Sequence, residues 1–298
     1  MSGGEIVLCL QGGGALAAYQ AGVIRALHAL DLAPTLVVGA STGALNATVL
    51  TGHERNDPDG ALEAFWRALS RPRLPFMPDL GAALGAYGNP AMYLPRGNWL
   101  NLGRWNALYD TSPLERTLAR HVDFARLADP ATRPRLLLTA TNLDTGEGAV
   151  FDSAEQAIEP AHVLAATALP PTFPPVEARD ATGRTHTYWD GSLAGPPPLE
   201  AALARVAPGD VRLAVVVDLF PRRGGVPQHM GEVGGRMLEL VAADKNGPAA
   251  ASLEGRCVFV RPATPERAAR AADFASDAVD RRRRLGEADA RNALAAVG

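Results

Sequence analysis

Residues 35–50 read TLVVGASTGALNATVL, and the fold class turns on them. Thr35–Gly39 is a short apolar run of β-branched residues, the pattern of a strand buried on both faces. It stops at Gly39-Ala40-Ser41-Thr42-Gly43, and an apolar helix runs on to about Leu50. A strand that breaks through a tight turn into a helix is the unit of a doubly wound sheet. Upstream, Glu5–Leu10 (EIVLCL) is a second such strand, stopped by Gln11-Gly12-Gly13-Gly14-Ala15 and followed by helical spacing over 14–31.

The same reading continues outward. Apolar runs predict strands at 135–142, 211–217 and 256–261. Helical spacing predicts helices at 58–70, 113–121, 160–168, 229–244 and 276–296. Strands recur to the end, so residues 1–298 are expected to form one α/β domain with a mostly parallel central sheet. The stretch 71–111 breaks the pattern. It is rich in Pro and Gly and carries Phe76, Met77, Tyr87, Met92, Tyr93, Trp99, Trp105 and Tyr109. A segment of that length without periodicity reads either as a lid or as a satellite that buries its aromatics.

Composition narrows the function classes. The chain has 298 residues, 47% apolar and 20% charged, with a formal net charge of −3. That balance argues against bulk binding to nucleic acid or to an anionic membrane by charge alone. Among 29 basic residues, Lys245 is the single lysine. The two cysteines, Cys9 and Cys257, lie in apolar runs and are expected to be reduced core residues. No stretch approaches the roughly 20 apolar residues of a spanning helix. The expected location is cytoplasmic, with peripheral membrane contact open. Arg281–Arg284 on the last helix, among Asp277, Asp280, Glu287 and Asp289, is expected to form a solvated charged face.

Gly39-x-Ser41-x-Gly43 has the spacing of a nucleophile elbow. The serine must project from a sharp turn, and side chains two residues away would crowd it. The helix behind it aims its N-terminus at developing negative charge. Ser41 could also be no more than a helix N-cap. The glycines 12–14 can turn their amides inward as an anion nest. Gly12-x-Gly14-x-x-Ala17 also satisfies a relaxed dinucleotide fingerprint, but the second strand ends in Gly39-Ala40-Ser41, where that reading needs an acid.

A serine nucleophile needs a base. His28, His53, His121, His162, His186 and His229 all lie outside the Gly- or Pro-framed turn that would mark a triad histidine. Asp190, in Tyr188-Trp189-Asp190-Gly191-Ser192, sits in an apolar setting that would raise its pKa, although Asp-Gly is also a common turn.

These elements together resemble the bacterial branch of the patatin-like phospholipases. The resemblance is carried by Gln11–Leu27, Gly39–Ala47, Tyr109–Leu118 (YDTSPLERTL), Thr139–Gly146 (TATNLDTG), Ala168–Val176 (ALPPTFPPV) and Tyr188–Leu193 (YWDGSL). It implies a three-layer α/β/α sandwich and a Ser–Asp dyad without histidine. Ser41 would be the nucleophile and Asp190 the base. The amides of Gly12, Gly13 and Gly14, with Ala15 as a further candidate, would form the oxyanion hole. Gly39, Gly43 and Gly191 would flank the dyad. The implied substrate is a lipid or fatty-acyl ester, with no cofactor and no metal. The chain departs from the family in two ways. Leu16-Ala17 stands where many members have Arg or Lys followed by Gly, and Ser192 where Gly or Ala is usual. A lipid acyltransferase using the same dyad and a catalytically idle lipid-binding protein are the alternatives.

Overall fold

The computed structural model describes residues 4–53, 57–72, 88–97, 103–220, 225–228, 230–243 and 245–295. Strand β1 (Glu5–Leu10) leads through a short 3-10 turn (Gly14–Ala17) into helix α1 (Ala18–Ala29). Strand β2 (Leu36–Gly39) leads into α2 (Thr42–Thr51), and α3 (Pro58–Leu69) follows. A two-residue pair, β3 (Leu94–Pro95) with β4 (Tyr109–Asp110), precedes α4 (Ser112–His121) and α5 (Phe124–Leu127). Next come β5 (Arg135–Asn142), β6 (Gly148–Asp152), α6 (Pro160–Ala166), β7 (Val176–Arg179), β8 (Thr185–Asp190) and α7 (Pro198–Leu203). The chain continues with β9 (Val211–Val217), α8 (Met230–Ala242), α9 (Gly247–Ala251), β10 (Cys257–Val260) and α10 (Ser276–Leu294).

Strands β10, β9, β1, β2 and β5 lie side by side and parallel. Strands β6, β7 and β8 are antiparallel additions at the β5 end. The alternation of side chains along each strand feeds two cores. Leu8, Leu10, Val37, Leu136, Leu138, Val215 and Val217 face one layer of helices, where Ile24, Leu45, Trp66 and Val279 pack. Val7, Cys9, Leu36, Val38, Leu137 and Val216 face the other, against Leu199, Ala202 and Leu253. Helices therefore cover both faces, which is why the parallel strands read as continuous apolar runs.

One feature of register places the site. Leu137 and Leu138 of β5 pair with both β2 and β6, so those two strands occupy opposite edges of β5. Ala140 and Thr141 pair with both β6 and β8. Strands β2 and β8 thus share one edge of β5 and run toward each other along it. Strand β2 ends with Gly39 opposite Leu138, and β8 ends with Asp190 opposite Ala140. The Gly39–Gly43 turn leaves the sheet in the gap between them.

Two expectations are corrected. Arg282 is not on a solvated face. It is 2% exposed, with Glu266 taking its guanidinium as a fork at 2.9 and 2.8 Å. Arg283 is partly covered and pairs with Glu63 at 3.0 Å. The segment 266–273 folds over the helix at Arg282, and nothing local in the Arg281–Arg284 run marks which arginine it covers. Cys9 and Cys257 are both free, but only Cys9 is buried, because Cys257 opens the outermost strand. Within 71–111, residues 73–87 and 98–102, with Phe76, Met77, Tyr87 and Trp99, lie outside the described residues. Of the others, Met92 and Tyr93 are buried, and Tyr93 packs against Tyr109 and Phe173.

Candidate active site

Ser41 stands between β2 and α2 with φ 52° and ψ −132°, a backbone region that favours glycine. A side chain held there costs roughly 1–3 kcal/mol, and such strain gathers where a side chain must point out of a turn. Hydrogen bonds hold the turn on both sides. The Ala40 amide donates to Leu10 O at 3.0 Å, and the Ser41 amide donates to Ala166 O at 3.0 Å. Ser41 makes no side-chain cap on α2, so the N-cap alternative is not what its hydroxyl does. A Cβ on Gly43 would come within 2.3 Å of Leu10 O, so a side chain there would push the helix off the first strand.

Asp190 is fully buried at the end of β8. Its amide donates to Ala168 O at 3.0 Å, so the end of α6 fixes the backbones of both Ser41 and Asp190. Its carbonyl accepts from Thr141 Oγ1 at 2.8 Å. Carboxylate Oδ1 accepts from the Ser192 amide at 2.8 Å, while buried Oδ2 has no partner meeting hydrogen-bond geometry. Burial pushes the Asp190 carboxyl above the usual range. The Ser41 and Ser192 hydroxyls pull it partly back, which places both beside the carboxylate. Gly191 backs onto Thr139, where a Cβ would meet Thr139 Oγ1 at 2.3 Å.

The glycine loop closes the third side. A Cβ on Gly12 would lie 2.5 Å from Ser41 Cβ, 3.1 Å from Ser41 Oγ and 3.3 Å from Ser192 Oγ. Among the described residues, the Gly12, Gly13 and Gly14 amides donate to no other group. Ala15 is different: its amide is spent on Ala271 O at 2.7 Å, which removes it as an anion donor. Gly14 has φ 56° and packs on the same Ala271 carbonyl.

A buried polar chain holds this loop against α2. Gln20 Nε2 donates to Gln11 O at 2.5 Å, and Asn46 Nδ2 donates to Gln20 Oε1 at 2.8 Å and to Ala17 O at 2.9 Å. Trp66 Nε1 donates to Asn46 Oδ1 at 2.9 Å. Gln11 itself accepts from the Leu219 amide at 2.8 Å and donates to Ala242 O at the end of α8. From the opposite side, Arg282 Nη1 donates to Ala15 O at 3.3 Å and to Asp273 O at 2.7 Å. These residues carry no catalytic signature in the sequence. Only their burial beside the loop identifies them.

The described histidines lie elsewhere. His28 faces Asp59, His53 bonds Leu50 O, His121 stacks edge-on to Phe65, His162 bridges Glu159 and Arg179, and His186 pairs with Asp144. His229 lies outside the described residues. Lys245, the single lysine, donates to Ser192 O at 3.0 Å.

Residues 8–203 match the family described as patatin-like phospholipase. The match covers more than half of the chain, and the chain belongs to that family. The coarse function that comes with it is lipid hydrolysis. No curated protein matches this sequence significantly. Among solved structures, the chain is similar to VipD from Legionella pneumophila, with 16% identity, a TM-score of 0.41, and coverage of 94% of this chain and 67% of that one. It is also similar to the type III effector protein ExoU, with 13% identity, a TM-score of 0.42, and coverage of 99% of this chain and 53% of that one.

Proposed function

We propose that this lipid hydrolase cleaves carboxylic esters through a Ser41–Asp190 dyad and an acyl-enzyme. The observation that carries the reading is the convergence of a strained Ser41, a buried Asp190 carboxylate and three uncommitted glycine amides in the gap between β2 and β8. Asp190 accepts the Ser41 Oγ proton as Oγ attacks the ester carbonyl carbon. The Gly12, Gly13 and Gly14 amides hold the tetrahedral oxyanion, with about 3 kcal/mol for each donor well placed on it. The C–O bond to the alcohol breaks, and the proton on Asp190 passes to the departing oxygen. Water then gives its proton to Asp190 and attacks the acyl-serine, releasing the fatty acid and restoring Ser41.

The raised pKa suits the part. A carboxylate in water is a weak base toward an alcohol, and desolvation makes it a stronger one. The expected setting is peripheral: among the described residues no helix is long and apolar enough to cross a membrane. The segment 71–111 remains our candidate for the acyl-binding element within a single domain.

The test is labelling by a fluorophosphonate probe of wild type, Ser41→Ala and Asp190→Asn. Labelling should require both residues. Labelling that survives Ser41→Ala refutes the nucleophile, and labelling indifferent to Asp190→Asn refutes the base.

A further inference from the structure

Helix α8 is turned inside out for a helix facing water. Its carboxylate Glu239 is 1% exposed, while Val233, Met237 and Leu240 are 42%, 64% and 55% exposed. Glu239 points inward, bonded to Arg236 at 2.9 Å, Arg267 at 3.4 Å and the Ala268 amide at 3.1 Å. The three apolar residues are spaced i, i+4, i+7 and share one outward stripe. Just upstream, Val226 is 79% exposed. Gathering two arginines and a backbone amide onto one buried carboxylate, while leaving three large apolar side chains in water, runs against the hydrophobic effect unless something apolar covers the stripe.

The position of α8 points to what covers it. Its last carbonyl, Ala242 O, accepts from Gln11, the residue that opens the glycine loop. Lys245, three residues further on, reaches Ser192 O beside the Asp190 carboxylate. No carboxylate pairs with the Lys245 amine among the described residues, and partial burial lowers its pKa. The C-terminal end of the helix that carries the stripe therefore abuts the candidate site, and a cation stands where the two meet. The net charge of −3 leaves little long-range attraction to an anionic surface, so apolar insertion has to supply the binding.

We infer that the Val233–Met237–Leu240 face of α8 is the surface by which the protein docks on its lipid aggregate, with Lys245 meeting head-group oxygens at the edge of the active site. This rests on the lipid-hydrolase reading for its occupant but not for its test. The experiment is flotation with phosphatidylcholine vesicles, done in a Ser41→Ala background so that no lipid is consumed. Ser41→Ala should float with the vesicles. Adding Met237→Glu and Leu240→Glu should weaken partitioning by at least about tenfold. In the active background, the double Glu variant should lose vesicle-lipid hydrolysis and keep hydrolysis of a water-soluble short-chain ester. If the Glu pair impairs folding, Met237→Ser with Leu240→Ser replaces it, with a smaller loss in the same direction.

Unchanged flotation overturns the inference. So does a wild-type dimer, by sedimentation velocity, that the substitutions disperse, since the stripe is then an interface between copies. Flotation that depends on the stripe in a protein without ester hydrolysis leaves the docking surface standing and removes the hydrolase reading.

Discussion

Gly12 faces Ser41 so closely that a Cβ on the glycine would sit 2.5 Å from the serine Cβ and 3.1 Å from its Oγ. The space a side chain would take is the space an ester carbonyl must enter. Gly12→Ala should therefore fold and lose roughly a hundredfold or more in kcat on a soluble ester, the scale of losing one oxyanion donor. Steady-state kinetics beside a thermal melt checks this. Wild-type kcat in the variant would show that the reacting carbonyl lies elsewhere.

On the proposed mechanism, Asp190 sets the pH dependence. Burial raises its pKa, so the carboxyl keeps its proton at pH values where an ordinary aspartate has lost it. The base form is the active one, so kcat/KM should rise with pH through that raised pKa. The acid limb should lie above the ordinary carboxylate range. A limb at the ordinary aspartate value would place the base in a wetter setting.

The same burial has a thermodynamic sign. The folded state binds this proton more tightly than the unfolded state does, so stability from this group falls as pH rises from the unfolded pKa through the raised folded one. Asp190→Asn removes a buried charge whose Oδ2 has no partner meeting hydrogen-bond geometry. The variant should be inactive yet melt higher than wild type at neutral pH, with the gap closing in acid. A lower melting temperature at neutral pH would mean that the carboxylate is held by more than Ser41 and Ser192.

Ser41 carries backbone strain that glycine does not feel. Ser41→Gly should be more stable than Ser41→Ala by about 1 kcal/mol, both being inactive, because only alanine keeps a Cβ at φ 52°. Equal stability by urea denaturation would argue that the turn relaxes once the hydroxyl is gone.

Arg282 ties the glycine loop to the last helix. Arg282→Ala leaves Glu266 with Arg281 alone and removes the donor to Ala15 O and Asp273 O, a loss of buried hydrogen bonds that costs roughly 2–4 kcal/mol. A hydrogen-exchange measurement should show lost protection at Ala15, whose amide is held by Ala271 O. A loss of stability confined to the far end of α10 would limit Arg282 to packing.

Much of this was legible beforehand. The strands at 5–10, 135–142 and 211–217 read as unbroken apolar runs because helices cover both of their faces. Strands β6 and β7 escaped because they are short, antiparallel and half-wetted, so no run announces them. Ser41 was visible in its turn. Asp190 stood out by its aromatic, apolar flank as a candidate base, but an Asp-Gly turn accounts for the same residues, and the resemblance tipped the reading. What sets it apart is register on β5, which no local pattern encodes. Arg282 and Glu239 were missed for one reason: a charge on a helix reads as solvated until its distant partner, Glu266 or Arg267, is known.

The meeting of β2 and β8 along one edge of β5 also governs when the site comes into being. Ser41 is held from Leu10 through Ala40 and from Ala166, whereas Asp190 stands beside it only through the antiparallel pairing of β8 on β5. The outer brace of the glycine loop, Ala271 and Arg282, arrives only with residues 266–282. A ribosome-bound chain that has emerged as far as α4 carries the serine without its base. On the proposed dyad such a chain is silent toward esters, and activity waits until β8 and residues 266–282 have followed.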